Sequence, residues 1–390
     1  MVRAKLSTVV FTLVAACSAA AQAMRLPLHE VGSPFQHEQA WSIFARAMEN
    51  HRKIPCKCLI WRRDMVQADS PLIEMWTEQS AEGELKLTVL SPLSEQGVTS
   101  VDDGNQWITY RPDDNRIMVE TSPRRDSKKT GNRINLAQKN YELIVEPSEP
   151  LIAGRRAYSF LAMAKHSEMP ARRFCIDKKK DFLLRVEVMD NTGCKVMLDT
   201  KTIDFPIEVP REDFALAPHE STEVETYPAP ITVSLNKEIQ RELGFKPCVP
   251  EDLPFGFVVD QPQLVEGNGD KYLAIRLTDG LVSATVYEWN GKKHHSGPQG
   301  PSKSEKSANG VKLRFMGEVP DQVSSGLMDK FVKEALKKVE SCLVKVSPLE
   351  TLDPRQALNS SEEANKEGCL EKTFGLSIDE PALILIEVDE

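Results

Sequence analysis

The sequence predicts an α+β protein: a large, curved antiparallel half-barrel sheet covered by a helix, followed by a smaller α+β domain. About ten short strand patterns follow one early helix, and strands this close along the chain pair antiparallel because parallel pairing needs a long crossover. Several of them, such as 183–188, are apolar on both faces and therefore need cover on both sides. A proline-rich stretch at 206–230 then precedes a second set of strands and helices.

Composition narrows the function classes. The chain has 390 residues, of which 41% are hydrophobic and 27% are charged, as is typical of globular proteins. Its net charge of -9 argues against a nucleic-acid partner, because nucleic-acid binders neutralise phosphates with basic side chains.

The first residues have the pattern of an export signal. Arg3 and Lys5 precede the apolar run 7–16 and an A-x-A cleavage pattern at 21–23, which predicts a signal peptide over 1–23. A competing pattern, V-A-A-C, looks like a bacterial lipobox that would make Cys17 a lipidated N-terminus. Both alternatives place the protein in the periplasm or otherwise outside the cytoplasm.

The first domain is predicted over 24–206. Its helix is capped by Ser33 and has Trp41, Phe44 and Met48 on one apolar face. The predicted strands are 55–66, 72–79, 85–89, 98–102, 105–111, 115–121, 141–146, 157–165, 172–177, 182–190 and 194–205.

A linker over 207–230 leads to the small domain at 231–341. We predict a helix at 235–243, four strands (256–260, 272–278, 281–289 and 311–317), a polar loop at 291–309 and a helix from Ser324. The last helix has Leu327, Phe331, Ala335 and Val339 on one stripe.

The remaining residues, 342–390, form an acidic extension. From Ser347 onwards it has eleven acidic and three basic side chains. The apolar run 383–388 predicts a strand that adds to a sheet edge of the same chain or of another chain. Pairing between two copies of the chain would give a homo-oligomer, which is one of the two alternatives.

No pattern of catalytic or metal-binding residues stands out. The H-E pairs at His37 and His219 lack the second histidine of a zinc motif, and the C-x-C at Cys56 and Cys58 lacks a second ligand pair. We therefore expect a binding protein, not an enzyme, with no metal and no cofactor. Outside the cytoplasm disulfides persist, and Cys342 with Cys369 is the most plausible pair.

A half-open barrel cannot bury its inner face alone, so its apolar lining can take up an acyl chain. The candidate lining residues are Trp61, Met75, Leu87, Trp107, Met118 and Phe160. The alternative is that they pack against the early helix. A basic loop after residue 122 is either a site for anionic lipid head groups or a solvated loop; it carries Arg124, Arg125, Lys128, Lys129 and Arg133.

Two ordered sets of short motifs carry a family resemblance. The first set is Y-E-L-I-V from Tyr141, A-G-R-R-A-Y from Ala153, R-F-C-I-D from Arg173 and L-L-R-V-E-V-M-D from Leu183. The second set is G-F-K-P from Gly244, L-P-F-G-F from Leu253, L-T-D-G-L from Leu277, V-Y-E-W from Val286 and G-E-V-P from Gly317. Together they resemble the MucB/RseB family of periplasmic sigma-factor regulators, whose N-terminal domain is LolA-like.

The resemblance implies an unclosed barrel covered by helices and joined to a smaller α+β domain. It implies binding of acyl chains, lipopolysaccharide, lipoprotein or unfolded outer-membrane protein segments, and a grip on a membrane anti-sigma factor that is released under envelope stress. The sequence departs from the family at Cys175, in the acidic extension and in the lipobox pattern. A periplasmic carrier of lipoproteins or lipids and a structural envelope protein stay open as alternatives.

Overall fold

The computed structural model describes residues 34–63, 71–122, 130–190, 193–216, 221–267, 270–291 and 302–343. The predicted signal peptide with Cys17, and the predicted strand at 383–388, lie outside these residues.

The first domain begins with helix α1, Pro34–Lys53. Trp41 and Phe44 are buried, and the Phe44 ring meets the Phe174 ring edge-on with 4.9 Å between their centroids. One face of α1 therefore packs on the sheet, which confirms the predicted helix.

Thirteen strands of the described chain form one sheet. Their bounds are β1 (Cys56–Arg63), β2 (Leu72–Gln79), β3 (Leu85–Ser91), β4 (Thr99–Asp102), β5 (Gln106–Arg111), β6 (Arg116–Thr121), β7 (Tyr141–Glu146), β8 (Leu151–Ile152), β9 (Arg155–Ala164), β10 (Ala171–Asp177), β11 (Leu183–Asp190), β12 (Gly193–Asp204) and β13 (Glu223–Thr226). Helix α2, Thr130–Asn140, lies between β6 and β7.

The strand order is β13-β6-β5-β4-β3-β2-β1-β12-β11-β10-β9-β7, and β8 pairs with β9. Strands β13 and β7 are the two ends of this order and do not pair with each other, so the described sheet is an open half-barrel, as the sequence predicts. The sheet is mixed, however, since β13 pairs with β6 in parallel. Parallel pairing is accessible here because most of the first domain separates β6 from β13 along the chain.

That connection crosses the outer face of the sheet, which is the face opposite α1. The Lys57 ammonium lies 2.6 Å from a carboxylate oxygen of Asp213, and the Lys86 ammonium donates to the Asp213 carbonyl oxygen. Phe214 is buried against Val101. The stretch predicted as a linker is thus tied to the sheet along its first half and supplies strand β13.

The second domain is a six-stranded antiparallel sheet of order β14-β15-β16-β17-β19-β18. Its strands are β14 (Ile231–Thr232), β15 (Val258–Gly267), β16 (Asp270–Thr278), β17 (Ser283–Asn290), β18 (Ser304–Ala308) and β19 (Val311–Gly317). Helix α3, Lys237–Leu243, is capped by the Asn236 side chain and ends at Gly244 in the left-handed region.

Helix α4, Asp321–Leu343, covers this second sheet. Leu327, Phe331 and Ala335 are buried, which confirms the predicted stripe as far as the described side chains extend.

Helix α2 and strand β18 are among the elements that the sequence does not predict. Arg133, predicted in a basic loop, lies in helix α2, where it is buried and donates to the Ser283 hydroxyl at 2.7 Å. Helix α2 is short, and such helices depend on tertiary packing more than on their own pattern. Strand β18 lies within the segment 291–309, which the sequence predicts as a polar loop. It is an edge strand with mostly polar side chains, so its sequence resembles that of a loop.

Candidate ligand-binding cleft

The inner face of the half-barrel, which α1 covers, has a covered half and an open half. Helix α1 packs over β9 to β11, whereas an apolar cleft lies over β1 to β3. The cleft has a volume of about 1050 Å³ when the space at its open mouth is included. Its apolar wall includes Cys58, Ile60, Met75, Leu87, Val186 and Met197.

Strand register explains why these side chains meet. Cys58 pairs with Thr77, which pairs with Leu87, and Ile60 pairs with Met75 in the next row. Residues that are directly opposite on neighbouring strands point to the same face, and every second residue along a strand shares that face. Apolar residues at alternate positions of β1, β2 and β3 therefore form one continuous wall.

The cleft also has charged lining residues, which we call its polar rim. Its cationic members are Arg52 at the end of α1 and Arg62 and Arg63 at the end of β1, and its acidic members are Asp102 and Glu318. Glu318 comes from the second domain. A ligand in the cleft would therefore lie against both domains.

Two polar side chains of the cleft are poorly satisfied. Within the described chain, the Thr77 hydroxyl and Nδ1 of His51 are buried and have no hydrogen-bond partner. Leaving a buried polar atom unpaired costs free energy, so both atoms favour a polar group of a ligand or water in the cleft. Burial, helped by the neighbouring Arg52, lowers the pKa of His51 to about 4, so His51 is neutral at pH 7.

The thiols of Cys56 and Cys58 lie on the cleft wall. A hydrogen bond with Cys58, together with burial, raises the pKa of Cys56 well above its usual value. A protonated thiol is a poor nucleophile and a poor metal ligand. In the described ranges, no group of three or more histidine, cysteine or acidic side chains is placed to hold a metal ion.

The structure places the predicted apolar lining residues other than Trp61 in three different locations. Met75 and Leu87 line the cleft. Trp107 and Met118 are buried on the same inner face of the sheet. Trp107 is directly opposite Asp102, which lines the cleft, and Met118 lies in the same row across the strands as Leu87. Phe160 lies in the core shared with α1, which is the packing alternative. The roles of these residues in ligand binding stay predictions.

Trp61 lies on the outer face, so its predicted position on the inner face is wrong. Its indole N–H donates to Glu74 at 2.8 Å, and the Lys201 ammonium lies 3.6 Å from the ring centroid. The neighbours Ile60 and Arg62 line the cleft instead. A large apolar side chain does not by itself reveal which face of a strand it occupies, whereas the alternation 56, 58, 60, 62 does.

Several other predicted sites lie outside the described residues. These are Arg124, Arg125, Lys128 and Lys129 of the basic loop, Cys17, Cys369 and the side chain of Cys342. Head-group binding, lipidation and the disulfide therefore stay predictions. The described cysteines 56, 58, 175, 194 and 248 form no disulfide with one another.

A buried polar interface joins the two domains beside the covered half. The Tyr141 hydroxyl donates to Asp279 at 2.6 Å, and the Asn140 amide donates to the carbonyl oxygens of Asp279 and Gly256. Burial raises the pKa of Asp279. Burial together with the nearby carboxylate raises the pKa of Tyr141, so the phenol keeps its proton and donates it to the hydrogen bond.

Glycines of the second motif set allow this close approach. A Cβ on Gly280 would lie 2.3 Å from the backbone nitrogen of Ala137 in α2, and one on Gly256 would lie 2.4 Å from the Asn140 side chain. The motifs L-T-D-G-L and L-P-F-G-F therefore correspond to the residues that dock the second domain on the first.

An open half-barrel with an apolar cleft, docked on a six-stranded α+β domain, defines a two-domain fold class. No family model matches the sequence, and no curated protein matches it. Among solved structures, the chain has the fold of MucB, with a TM-score of 0.50, 14% identity, and coverage of 76% of this chain and 97% of that one.

The complex of MucA and MucB from Pseudomonas aeruginosa also matches, with a TM-score of 0.50, 15% identity, and coverage of 74% of this chain and 96% of that one. A LolA superfamily protein from Nitrosomonas europaea matches 45% of this chain and 97% of its own, with 13% identity and a TM-score of 0.22. None of the described helices is long and apolar enough to cross a membrane.

Proposed function

We propose that the protein is an extracytoplasmic, non-enzymatic sensor and negative regulator of an envelope-stress sigma factor. In this role the cleft binds an acyl chain of a lipid, lipopolysaccharide or lipoprotein, or an apolar segment of an unfolded outer-membrane protein. The protein also holds a membrane anti-sigma factor. The export pattern over residues 1–23 supports the location, with anchoring through Cys17 as the alternative.

The observation that carries the proposal is the open apolar cleft with Glu318 of the second domain at its rim. Burying a methylene group gains about 0.8 kcal/mol. Ten methylenes of an acyl chain would gain roughly 8 kcal/mol before the costs of association are subtracted. Because the rim includes a residue of each domain, ligand entry can alter how the second domain meets a partner.

One structural similarity supports the proposed anti-sigma partner. A solved structure with this fold is a complex of MucA with MucB. The buried interface of Tyr141 and Asp279 gives a second domain that is held in a fixed place, which a partner surface needs.

A periplasmic lipid or lipoprotein carrier is the second candidate, and the cleft favours it equally. The docked second domain favours the sensor, since a carrier has no need of it. The structural envelope protein is disfavoured, because such a protein would have a solidly packed core without a cleft.

Cross-linking in the native envelope separates the two candidates. The tagged full chain is cross-linked, recovered and analysed by mass spectrometry for proteins and lipids together, with an unrelated tagged envelope protein as the control. The sensor predicts recovery of a single-span anti-sigma factor. Recovery of many lipoproteins, or of stoichiometric acyl lipid without such a factor, would contradict the sensor and favour the carrier.

A further inference from the structure

We infer that the apolar run 383–388 of the protein's own acidic extension occupies the cleft when no external ligand is bound. The inference rests on the proposed function, since it names an internal competitor for the same binding site. The extension then lies in the cleft in the ligand-free protein and outside the cleft in the ligand-bound protein.

The pattern of the run favours a cleft over a sheet edge. Ala382 to Ile386 are five consecutive apolar residues, so an extended segment would be apolar on both faces. Such a strand needs cover on both sides. All four residues of the edge strand β13 are exposed, so a strand added beside it would leave its apolar faces in water. The cleft instead is lined by more than the sheet alone, since Met75, Leu87 and Val186 belong to the sheet whereas His51 and Arg52 belong to the end of α1.

The polar groups of the cleft suit a peptide better than an acyl chain. The Thr77 side chain is more than nine-tenths buried, and its hydroxyl has no hydrogen-bond partner within the described chain. An extended peptide backbone carries N–H and C=O groups that can satisfy this hydroxyl, whereas an acyl chain carries none.

Charge favours the same occupant. Glu387, Asp389 and Glu390 lie within or directly beyond the run. At the rim of the cleft, three arginines face two acidic residues. Carboxylates that enter beside guanidinium groups are attracted electrostatically.

The chain is long enough to reach. Leu383 lies 40 residues beyond Leu343, the last residue of α4. A chain of this length spans at most roughly 130 Å when extended. Connection to the cleft through the same polypeptide also raises the local concentration of the run, which strengthens a weak contact.

A photo-cross-linking experiment tests the location directly. A benzophenone amino acid replaces Leu385 in the full chain, and the cross-linked peptides are mapped by mass spectrometry. The control carries the same group at Leu358, a leucine of the extension outside the run. We expect Leu385 cross-links to peptides containing Met75, Leu87 or Met197, which palmitate suppresses. Cross-links to the edge strands or to a second copy of the chain would overturn the inference. The absence of cross-links to the cleft would also overturn it.

A binding measurement provides the second test. Replacing the run with charge, Ile384→Asp with Ile386→Asp, removes the competitor without touching the cleft. If the run fills the cleft nine-tenths of the time, the double variant binds palmitate about tenfold more tightly than the original chain. Equal palmitate affinity in both proteins would overturn the inference.

The two measurements also separate this inference from the proposed function. Cleft cross-links without palmitate binding in either protein would support the internal occupant and contradict acyl-chain binding. Palmitate binding that is equal in both proteins, without cleft cross-links, would support acyl-chain binding and overturn the internal occupant.

Discussion

The covered and open halves of the inner face belong to one sheet but differ in what lies over them. Over β9 to β11, helix α1 fills the space, and Phe44 and Phe174 interlock. Over β1 to β3, the same kind of apolar side chains, Met75 and Leu87 among them, line an unfilled cleft. The second domain docks beside the covered half through Tyr141 and Asp279, and reaches the open half only at its rim, through Glu318.

The difference teaches that stability and binding are separated along the sheet. The covered half holds the helix and the second domain in place. The open half has apolar surface whose burial awaits a ligand, and such a surface is typical of binding sites. Substitutions in the two halves should therefore have different consequences.

The largest expected effect is at Phe44 in the covered half. Phe44→Ala removes a fully buried ring, and we expect a loss of about 3–5 kcal/mol in the free energy of unfolding. The matched substitution in the open half, Leu87→Ala, should cost less than about 2 kcal/mol, because it enlarges an existing cleft and creates no closed cavity. Urea unfolding measures both. Equal losses would contradict the division into two halves.

The next effect concerns the docking of the second domain on the covered half. Two Asp-Gly turns have glycines with positive φ, at +86° for Gly104 and +103° for Gly280. Gly104→Ala meets no atom within 4 Å and should cost about 1 kcal/mol of backbone strain. Gly280→Ala meets the α2 backbone and should cost about 1–3 kcal/mol more. Denaturant unfolding measures the difference, and similar losses would show that α2 does not constrain this turn.

A smaller effect, dependent on pH, marks the open half. His51 has a pKa of about 4 in the folded protein, whereas an unfolded histidine has about 6.5. The unfolded state therefore binds more protons between these values, and the free energy of unfolding falls as the pH is lowered from 6.5 to 4, by at most about 3 kcal/mol.

The variant His51→Gln tests this origin. It should flatten the decrease between pH 6.5 and 4, while the control His166→Gln, outside the cleft, should leave it unchanged. If His51→Gln retained the full slope, the cleft histidine would not be the group that resists protonation.

Much of the fold follows from local sequence patterns. Strands β2 and β7 have the predicted bounds, and the buried stripes of α1 and α4 recur at helical spacing. Each of these elements has a local pattern of apolar residues. Helix α2 and strand β18 lack such a pattern. Helix α2 packs against distant parts of the chain, whereas β18 pairs with the next strand, β19, across a short turn.

The sequence predicts that the sheet has an apolar cleft, but it does not predict every residue that lines the cleft. An open half-barrel implies an unfilled apolar face, yet the position of Trp61 depended on strand register, and a shift of one residue moves a side chain to the other face. The rim residue Glu318 reaches the cleft through the packing of two domains. No local pattern specifies such a contact.

The central claim is that the open half of the inner face is a binding site, and tryptophan substitutions in β3 test it most directly. Leu87→Trp fills the cleft from its wall, whereas Leu90→Trp adds the same side chain at an exposed position of the strand. Palmitate affinity is measured for both by calorimetry, with thermal unfolding as the check on folding. We predict that Leu87→Trp weakens palmitate binding at least about tenfold, the equivalent of 1.4 kcal/mol, while Leu90→Trp leaves it unchanged. Unchanged binding in the folded Leu87→Trp protein would contradict the claim.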